Sequence, residues 1–397
     1  MRSEARVCRR AICGACALAA LALGACASLP SANPVDWFRA RPSGPQPAEL
    51  PPLARAQPMR VLWTASVGPS EGYILAPALA GDSVYAAARD GTVVRLDAAS
   101  GALRWRAATG MRISGAVGAD GEIVVVASES GEVLALDAAD GKARWRTRVS
   151  SEVLAPPRLA DGLVLVRSAD SRIFAFGAHD GRRRWVYQRS PAALVVRSPA
   201  GVSVHEDSAY AGFPGGKLVA LSLANGGARW EATVALPRGA TELERIVDVV
   251  GEPAVFGREV CAVAYQGRVA CYDARNGIAR WARELSSLSG VALDARHAYV
   301  SDDKGTVHAL ERASGRSLWR QERLAHRQLS TPLALGAAIA VGDLQGYVHL
   351  LAHDSGAFIA RHATDGGAIR AAPLRLPAGF LVQTAAGGLY ALAPAAP

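Results

Sequence analysis

Short segments in which apolar and polar residues alternate recur along most of the chain, as in Val-Leu-Ala-Leu-Asp at residues 133–137. A period of two is typical of β-strands with one buried face, and two such segments joined by a tight turn indicate an antiparallel hairpin. The pattern predicts eight hairpins, at Ser83–Asp97, Glu122–Asp137, Leu163–Gly177, Ser208–Ser222, Glu259–Asp273, His297–Glu311, Ala338–Ala352 and Gly379–Leu392.

Glycine marks the turns of several hairpins, because tight hairpin turns need a residue that adopts positive φ. Four such turns are Asp90-Gly91, Gln266-Gly267, Lys304-Gly305 and Gln345-Gly346. A short segment of small residues precedes each hairpin and is predicted to form a further strand.

A glycine–tryptophan spacing follows the hairpins. Six tryptophans lie four residues after a glycine, and these pairs are Gly101/Trp105, Gly141/Trp145, Gly181/Trp185, Gly226/Trp230, Gly277/Trp281 and Gly315/Trp319. In a further copy, Gly356 is followed by Ala360 instead of tryptophan. Each repeat of about forty residues therefore supplies three strands and a fourth at the Gly-x-x-x-Trp motif.

A four-stranded sheet of this size cannot bury both faces alone, whereas radial stacking buries them against neighbouring sheets. We therefore predict an all-β chain, with residues 59–397 forming an eight-bladed β-propeller of four-stranded antiparallel blades. The last hairpin lacks a fourth strand, while Arg60–Ser66 around Trp63 is a strand without a hairpin. The N-terminal strand is therefore expected to complete the last blade and close the ring.

The N-terminus has the form of a secretory leader, with a basic start followed by the apolar run Ala11–Leu23. Leu23-Gly24-Ala25-Cys26 resembles a bacterial lipobox, which predicts a lipoprotein signal peptide at 1–25 and lipidation of Cys26. Two alternatives stay open: an ordinary signal peptide with an incidental cysteine, and a lipobox at Cys16 inside the apolar run. No Asp follows Cys26, which favours anchoring to the periplasmic side of the outer membrane.

Residues 26–58 are rich in Pro, Ala and Arg and are predicted to be a flexible tether between the lipid and the propeller. The formal net charge is +9, but the basic residues are scattered, so no nucleic-acid partner is expected.

No pattern of catalytic or metal-ligating residues is recognisable, and the eight histidines are dispersed. The segment Leu96–Gly101 and the tryptophan motif resemble the quinoprotein repeat, which implies a quinone-dependent dehydrogenase with calcium as an alternative. Members of that family carry a disulfide between adjacent cysteines, whereas no two cysteines are adjacent here and few acids are available to hold calcium. We expect no enzyme activity, no cofactor and no metal.

Cys261 and Cys271 lie on the two strands of one predicted hairpin. A turn that places both on one face would allow a cross-strand disulfide, which the oxidising periplasm permits. A slip of one residue in register would place them on opposite faces. Both arrangements stay open, with a structural role in either case.

Residues 58–395 resemble the BamB family, the lipoproteins of the outer-membrane β-barrel assembly (BAM) machinery. The most specific segments are Leu75–Leu79, Ala262–Gly267, Leu329–Leu333 and Val341–His349. The resemblance implies a non-catalytic propeller that binds a POTRA domain of the BamA insertase and works beside other BAM lipoproteins. Unfolded outer-membrane proteins are a further partner hypothesis, through pairing with exposed blade edges.

The resemblance also implies two contact loops for this partner. Leu194–Ser198 matches a loop of apolar residues followed by Arg, and Arg245–Val250 matches a second loop, in which the second acid of the family is Val250 here. By this match, Leu194 and Val196 are predicted to be apolar anchors of the partner, while Arg197 and Asp248 would form hydrogen bonds.

Repeat spacing supports the same location. About 16–20 residues separate most tryptophans from the next hairpin, against about 23 after Trp185 and about 29 after Trp230. Insertions at one offset in adjacent blades project from one face of a propeller. One alternative is that Leu194, Val196, Arg197 and Asp248 are ordinary residues of solvated loops. Another is that the chain is a different lipid-anchored propeller.

Overall fold

The computed structural model describes residues 44–53, 58–190, 192 and 194–395. The predicted leader, Cys26 and most of the tether lie outside the described residues. The regular structure of the described residues consists of 32 β-strands. A helix long and apolar enough to cross a membrane is not found among these residues.

The strands form eight four-stranded antiparallel sheets, which confirms the predicted eight-bladed β-propeller. Blades 1 to 4 contain β2 (Ala78–Ala80), β3 (Ser83–Ala87), β4 (Thr92–Asp97), β5 (Leu103–Ala108); β6 (Ile113–Ala119), β7 (Ile123–Ser128), β8 (Glu132–Asp137), β9 (Ala143–Arg148); β10 (Arg158–Ala160), β11 (Leu163–Ser168), β12 (Arg172–Gly177), β13 (Arg183–Gln188); and β14 (Val202–His205), β15 (Ser208–Phe213), β16 (Lys217–Ser222), β17 (Ala228–Thr233).

Blades 5 to 8 repeat the arrangement, and the last blade takes its fourth strand from the N-terminus. They contain β18 (Val249–Phe256), β19 (Glu259–Ala264), β20 (Arg268–Asp273), β21 (Ala279–Glu284); β22 (Val291–Leu293), β23 (His297–Ser301), β24 (Val307–Glu311), β25 (Ser317–Gln321); β26 (Leu333–Ala334), β27 (Ala338–Gly342), β28 (Tyr347–Ala352), β29 (Phe358–Ala363); and β30 (Leu374–Leu376), β31 (Gly379–Gln383), β32 (Gly388–Ala393), β1 (Arg60–Ser66).

The inner strands of each blade are buried on both faces, because each sheet packs between two neighbours. All six residues of β7, Ile-Val-Val-Val-Ala-Ser, are buried, and β-branched residues suit such a strand. The fourth strands alternate between exposed and half-buried residues, as in β9. They form the outer edges of the blades.

The tryptophans join adjacent blades. The indole N–H of Trp105, in blade 1, donates to the carbonyl of Ala138 in blade 2 at 3.0 Å. Gly141 of blade 2 lies against the same ring, and a Cβ on it would stand 2.9 Å from the Trp105 ring. Only glycine fits there without displacing the indole. This contact explains the spacing seen in the sequence.

The missing tryptophan at Ala360 has a structural reason. A tryptophan at position 360 would face blade 8. The fourth strand of that blade is β1, from the N-terminus, so the glycine of a Gly-x-x-x-Trp motif does not follow β32. Ala360 packs instead in a cluster that contains Met59 and Phe380.

The N-terminal strand closes the ring as predicted. β1 pairs antiparallel with β32, from Arg60 opposite Ala393 to Ser66 opposite Gly388. Trp63 then donates its indole N–H to the carbonyl of Ala98 in blade 1, at 3.0 Å.

One predicted turn differs in detail. At Gln266-Gly267, positive φ is adopted by Gln266 (φ 50), not by the glycine. Gly267 is required for space, because a Cβ on it would lie 2.6 Å from the Cβ of Ala235.

The compact unit that contains the propeller begins at Pro47. In this segment, Ala48 donates its N–H to the Ala325 carbonyl at 2.9 Å. Arg327 donates to the Ala48 carbonyl at 2.8 Å, and Arg361 donates to that of Pro51 at 3.1 Å. Residues 47–53, which we call the strap, therefore lie against blade 7 and the connection that precedes it.

Cys261 and Cys271 are directly opposite each other on β19 and β20, and both are buried. The structure joins them by a disulfide with a Cα–Cα distance of 4.0 Å. Both side chains pack in the apolar cluster between blades 5 and 6. Of the two registers left open by the sequence, this is the one that puts both cysteines on one face.

The antiparallel order of the strands gives the ring two distinct faces. One carries the connections from the fourth strand of a blade to the first strand of the next, and we call it the insertion face. The other carries the turns between first and second strands and between third and fourth strands, and we call it the opposite face.

Candidate protein-interaction surface

Two long connections stand beside each other on the insertion face. The first insertion, residues 189–201, joins β13 to β14, and the second insertion, residues 234–248, joins β17 to β18. They are the longest connections between neighbouring blades, in agreement with the repeat spacing.

Asp248 fastens the two insertions together. Its carboxylate accepts the backbone N–H of Val196 at 2.6 Å, and Asp248 itself is only 5% exposed. Burial raises the pKa of Asp248, opposed by hydrogen bonds from the amides of Val196 and Gly215 and by the charge of Arg167. The carboxylate is thus committed within the molecule, and it positions the loop that carries Leu194 and Arg197.

The first insertion presents apolar side chains to solvent. Leu194 is 47% exposed and Val195 46%, while Val196 is half-buried. Asp248 holds the amide of Val196, directly after these two exposed residues. Exposed apolar residues on a fixed loop, next to charged ones, are typical of a protein-binding surface.

The second insertion contains one helical turn with a reciprocal cap. The Glu244 carboxylate accepts the amide of Thr241 at 3.1 Å, and the Thr241 hydroxyl accepts the amide of Glu244 at 3.2 Å. These bonds, led by that from the Thr241 amide, lower the pKa of Glu244. The turn directs Leu243, 68% exposed, away from the core, and Leu236 is also exposed.

A groove of about 220 Å³ lies between the insertions. Leu194 borders it from the first insertion, and Pro237, Arg245 and Ile246 border it from the second. Glu242 and Asp248 also line the groove, so a partner side chain would meet both apolar and charged groups there.

Arg197 is held by residues of two other connections on the insertion face. Its guanidinium donates to Glu152 at 2.5 Å and lies 4.9 Å from the centre of the Tyr73 ring. The hydrogen bond that Arg197 donates to Glu152, more than any other contact, raises the pKa of Arg197. The side chain remains 56% exposed, so a partner can reach it.

The four predicted contact residues therefore come together but do not all face solvent. Leu194 and Arg197 are exposed and Val196 is half-buried. Asp248 is buried, and its carboxylate holds the amide of Val196. Val250, at the position matched to the second acid of the family loop, is buried in β18. This position therefore contributes no charge to the surface. Val195, Leu236 and Leu243, which are also exposed, were not predicted from the sequence. For Leu243 a signal was available, because Thr241-x-x-Glu244 is a capping pattern that indicates a helical turn around this residue.

Comparisons with known proteins agree on one family. A family model described as Outer membrane protein assembly factor BamB matches residues 56–117 and 89–321. The outer membrane protein assembly factor BamB of Bordetella pertussis is 44% identical over 345 residues, covering 87% of this chain and 89% of the relative. That of Burkholderia pseudomallei is 41% identical over 381 residues, covering 96% and 97%.

Solved structures give the same result at the level of the fold. The crystal structure of BamB from Moraxella catarrhalis superimposes with a TM-score of 0.78 at 29% identity, over 84% of this chain and 99% of that one. Quinohemoprotein alcohol dehydrogenase from Comamonas testosteroni has a TM-score of 0.68 over 85% and 76% of the two chains. Its identity is 13%, so the likeness to the enzyme concerns the propeller alone.

Proposed function

The chain belongs to the BamB family of outer membrane protein assembly factors, and from this membership we propose that it is a scaffold that binds a POTRA domain of a BamA-type insertase. As a family member it is a non-catalytic component of the outer-membrane assembly (BAM) machinery, together with other Bam proteins. In the proposal, this contact aids the insertion of β-barrel proteins into the outer membrane.

The observation that carries the proposal is the joined pair of insertions. Leu194 and Val195 are exposed beside a groove, on a loop that Asp248 fixes. A preorganised apolar anchor loses little conformational freedom on binding, which favours affinity. Arg197 adds a charged donor whose direction is set by Glu152.

The direct test is co-purification in detergent from the native membrane. The change is Leu194→Ala with Arg197→Ala, and the matched control is Ile278→Ala, an exposed apolar residue in a third-to-fourth-strand turn of the opposite face. Loss of two central contacts costs about 2 kcal/mol or more, roughly a thirtyfold loss of affinity.

Wild type and Ile278→Ala are expected to retain a POTRA-containing barrel protein, and the double variant to lose it. Equal retention by all three would place the contact elsewhere. Retention by none would favour the second candidate, a lipid-anchored propeller with another partner.

We further propose that lipid on Cys26 anchors the protein to the periplasmic side of the outer membrane. The Cys26→Ser variant should then leave the membrane fraction, while Cys16→Ser, at the rival position, should remain. Release by Cys16→Ser alone would contradict this assignment.

Unfolded outer-membrane proteins are the other proposed partners. The fourth strand of each blade has no neighbour on its outer side within its sheet, and such an edge can pair with an extended chain. Hydrogen exchange of a client chain with and without the protein tests this idea, which fails if no client amide gains protection.

A further inference from the structure

One group of metal-ligating side chains lies on the opposite face, where blades 6 and 7 meet. Asp294 and His297 belong to the turn between β22 and β23 and the start of β23, and His353 directly follows β28. Their candidate ligand atoms all lie within 4.8 Å of one another. The sequence separates His297 from His353 by a whole blade, which is why dispersed histidines gave no metal prediction.

The distances within the group suit a tetrahedral ion. His297 Nδ1 lies 3.3 Å and His353 Nε2 lies 3.0 Å from the same carboxylate oxygen, Asp294 Oδ2. Bonds of about 2.0–2.2 Å at tetrahedral angles separate neighbouring ligand atoms by about 3.3–3.6 Å. Small rotations of the side chains would therefore admit an ion between the three groups.

The carboxylate is already oriented by groups that are not ligands. The amides of Arg296 and His297 donate to Asp294 Oδ1, each at 2.7 Å. The hydroxyl of Tyr299, a fully buried residue, donates to Asp294 Oδ2 at 2.8 Å. Such outer contacts fix the geometry of metal ligands.

The corresponding positions in other blades are occupied differently. By strand register, His353 corresponds to Ala98, Ala138, Ala178, Leu223, Ala274 and Arg312, each directly after the third strand. Between blades 5 and 6, Glu259 and Arg312 fill this pair of positions with an ion pair of 2.7 Å. Between blades 6 and 7, two imidazoles and one carboxylate meet instead, and this set of groups suits a divalent cation.

We propose that Asp294, His297 and His353 bind a divalent transition-metal ion of the zinc type, which joins blades 6 and 7. Two imidazoles and one carboxylate are ligands that Zn²⁺ accepts, with water in the fourth position. Their side chains are 15–23% exposed, so solvent and an ion can reach them. The site lies on the face away from the insertions and does not depend on the proposed partner.

The test uses the full mature chain in detergent, purified without a histidine tag and stripped with EDTA. Zn²⁺ is titrated by calorimetry, and bound metal is counted by mass spectrometry after dialysis. The test variant is His353→Ala, because alanine occupies this position in four other blades and should not prevent folding.

The control variant is His308→Ala, which removes a histidine of the same blade that pairs with Asp302 at 3.0 Å outside the group. A second test variant, His297→Leu, copies the residue that Leu163 provides in blade 3.

We expect one Zn²⁺ per chain in wild type and His308→Ala, and none in His353→Ala or His297→Leu. The melting temperature should rise with Zn²⁺ only in the proteins that bind it, because a ligand of the folded state stabilises that state. Equal uptake by wild type and His353→Ala, or no uptake by wild type, would overturn the proposal.

Discussion

At the scale of single residues, buried charges hold loops in place. Asp248 holds the first insertion, and Arg327 holds the strap through the Ala48 carbonyl. Arg327 also pairs with Asp343 at 2.7 Å, and both side chains are almost fully buried. Burial would raise the pKa of Asp343, but bonds from His349 and Arg327 outweigh it and hold the pKa below its usual value.

The first prediction concerns the pH dependence of Asp248. Its folded pKa lies above the ordinary 3.8, so the folded state takes up a proton before the unfolded state does. Its contribution to stability is fully present below 3.8 and is lost as the pH rises through the folded pKa. The free energy of unfolding of wild type, minus that of Asp248→Asn, should therefore rise as the pH falls from 7 to 4 in urea titrations. A fall over that range would show that the pKa is lowered instead.

The second prediction concerns the buried ion pair. Arg327→Leu leaves Asp343 without its guanidinium and should lower the free energy of unfolding by about 3–5 kcal/mol. Arg320→Leu breaks an exposed pair with Glu322 and should cost less than about 1 kcal/mol. Urea unfolding of both variants checks the contrast, and equal losses would contradict it.

At the scale of the element, repetition made the strands predictable. The eight hairpins begin and end within one residue of their predicted positions, since every copy of the pattern repeats the same evidence. The strap at residues 47–53 was not predictable, because a Pro-rich segment has no period and its contacts with Arg327 and Arg361 join distant parts of the chain.

The third prediction concerns the glycine beneath each tryptophan. A Cβ at Gly277 would lie 2.7 Å from the Trp230 ring, whereas one at Gly336 would meet nothing within 4 Å; both glycines have positive φ. Gly336→Ala should cost about 1–2 kcal/mol from its conformation alone. Gly277→Ala should cost about 1–3 kcal/mol more, because the indole must move. Chemical denaturation measures the loss of unfolding free energy in both variants. Equal losses would mean that the Trp230 ring moves aside without an energetic cost.

At the scale of the whole molecule, closure of the ring places the two insertions on one face and the histidine group of blades 6 and 7 on the other. The insertion face brings together loops that follow blades 3 and 4, and their general position was predictable from spacing. The inward role of Asp248 was not predictable, since a sequence match does not reveal which way a carboxylate points. The histidines of blades 6 and 7 meet only because the ring places consecutive blades side by side.

Photo-cross-linking in cells is the most direct test of the proposal that the insertion face binds the insertase. A photoreactive residue is placed at position 194, on the first insertion, or at position 278, which is also exposed and lies on the opposite face. We expect a cross-link to the BamA-type insertase from position 194 and none from position 278. A cross-link from 278 with none from 194 would contradict it.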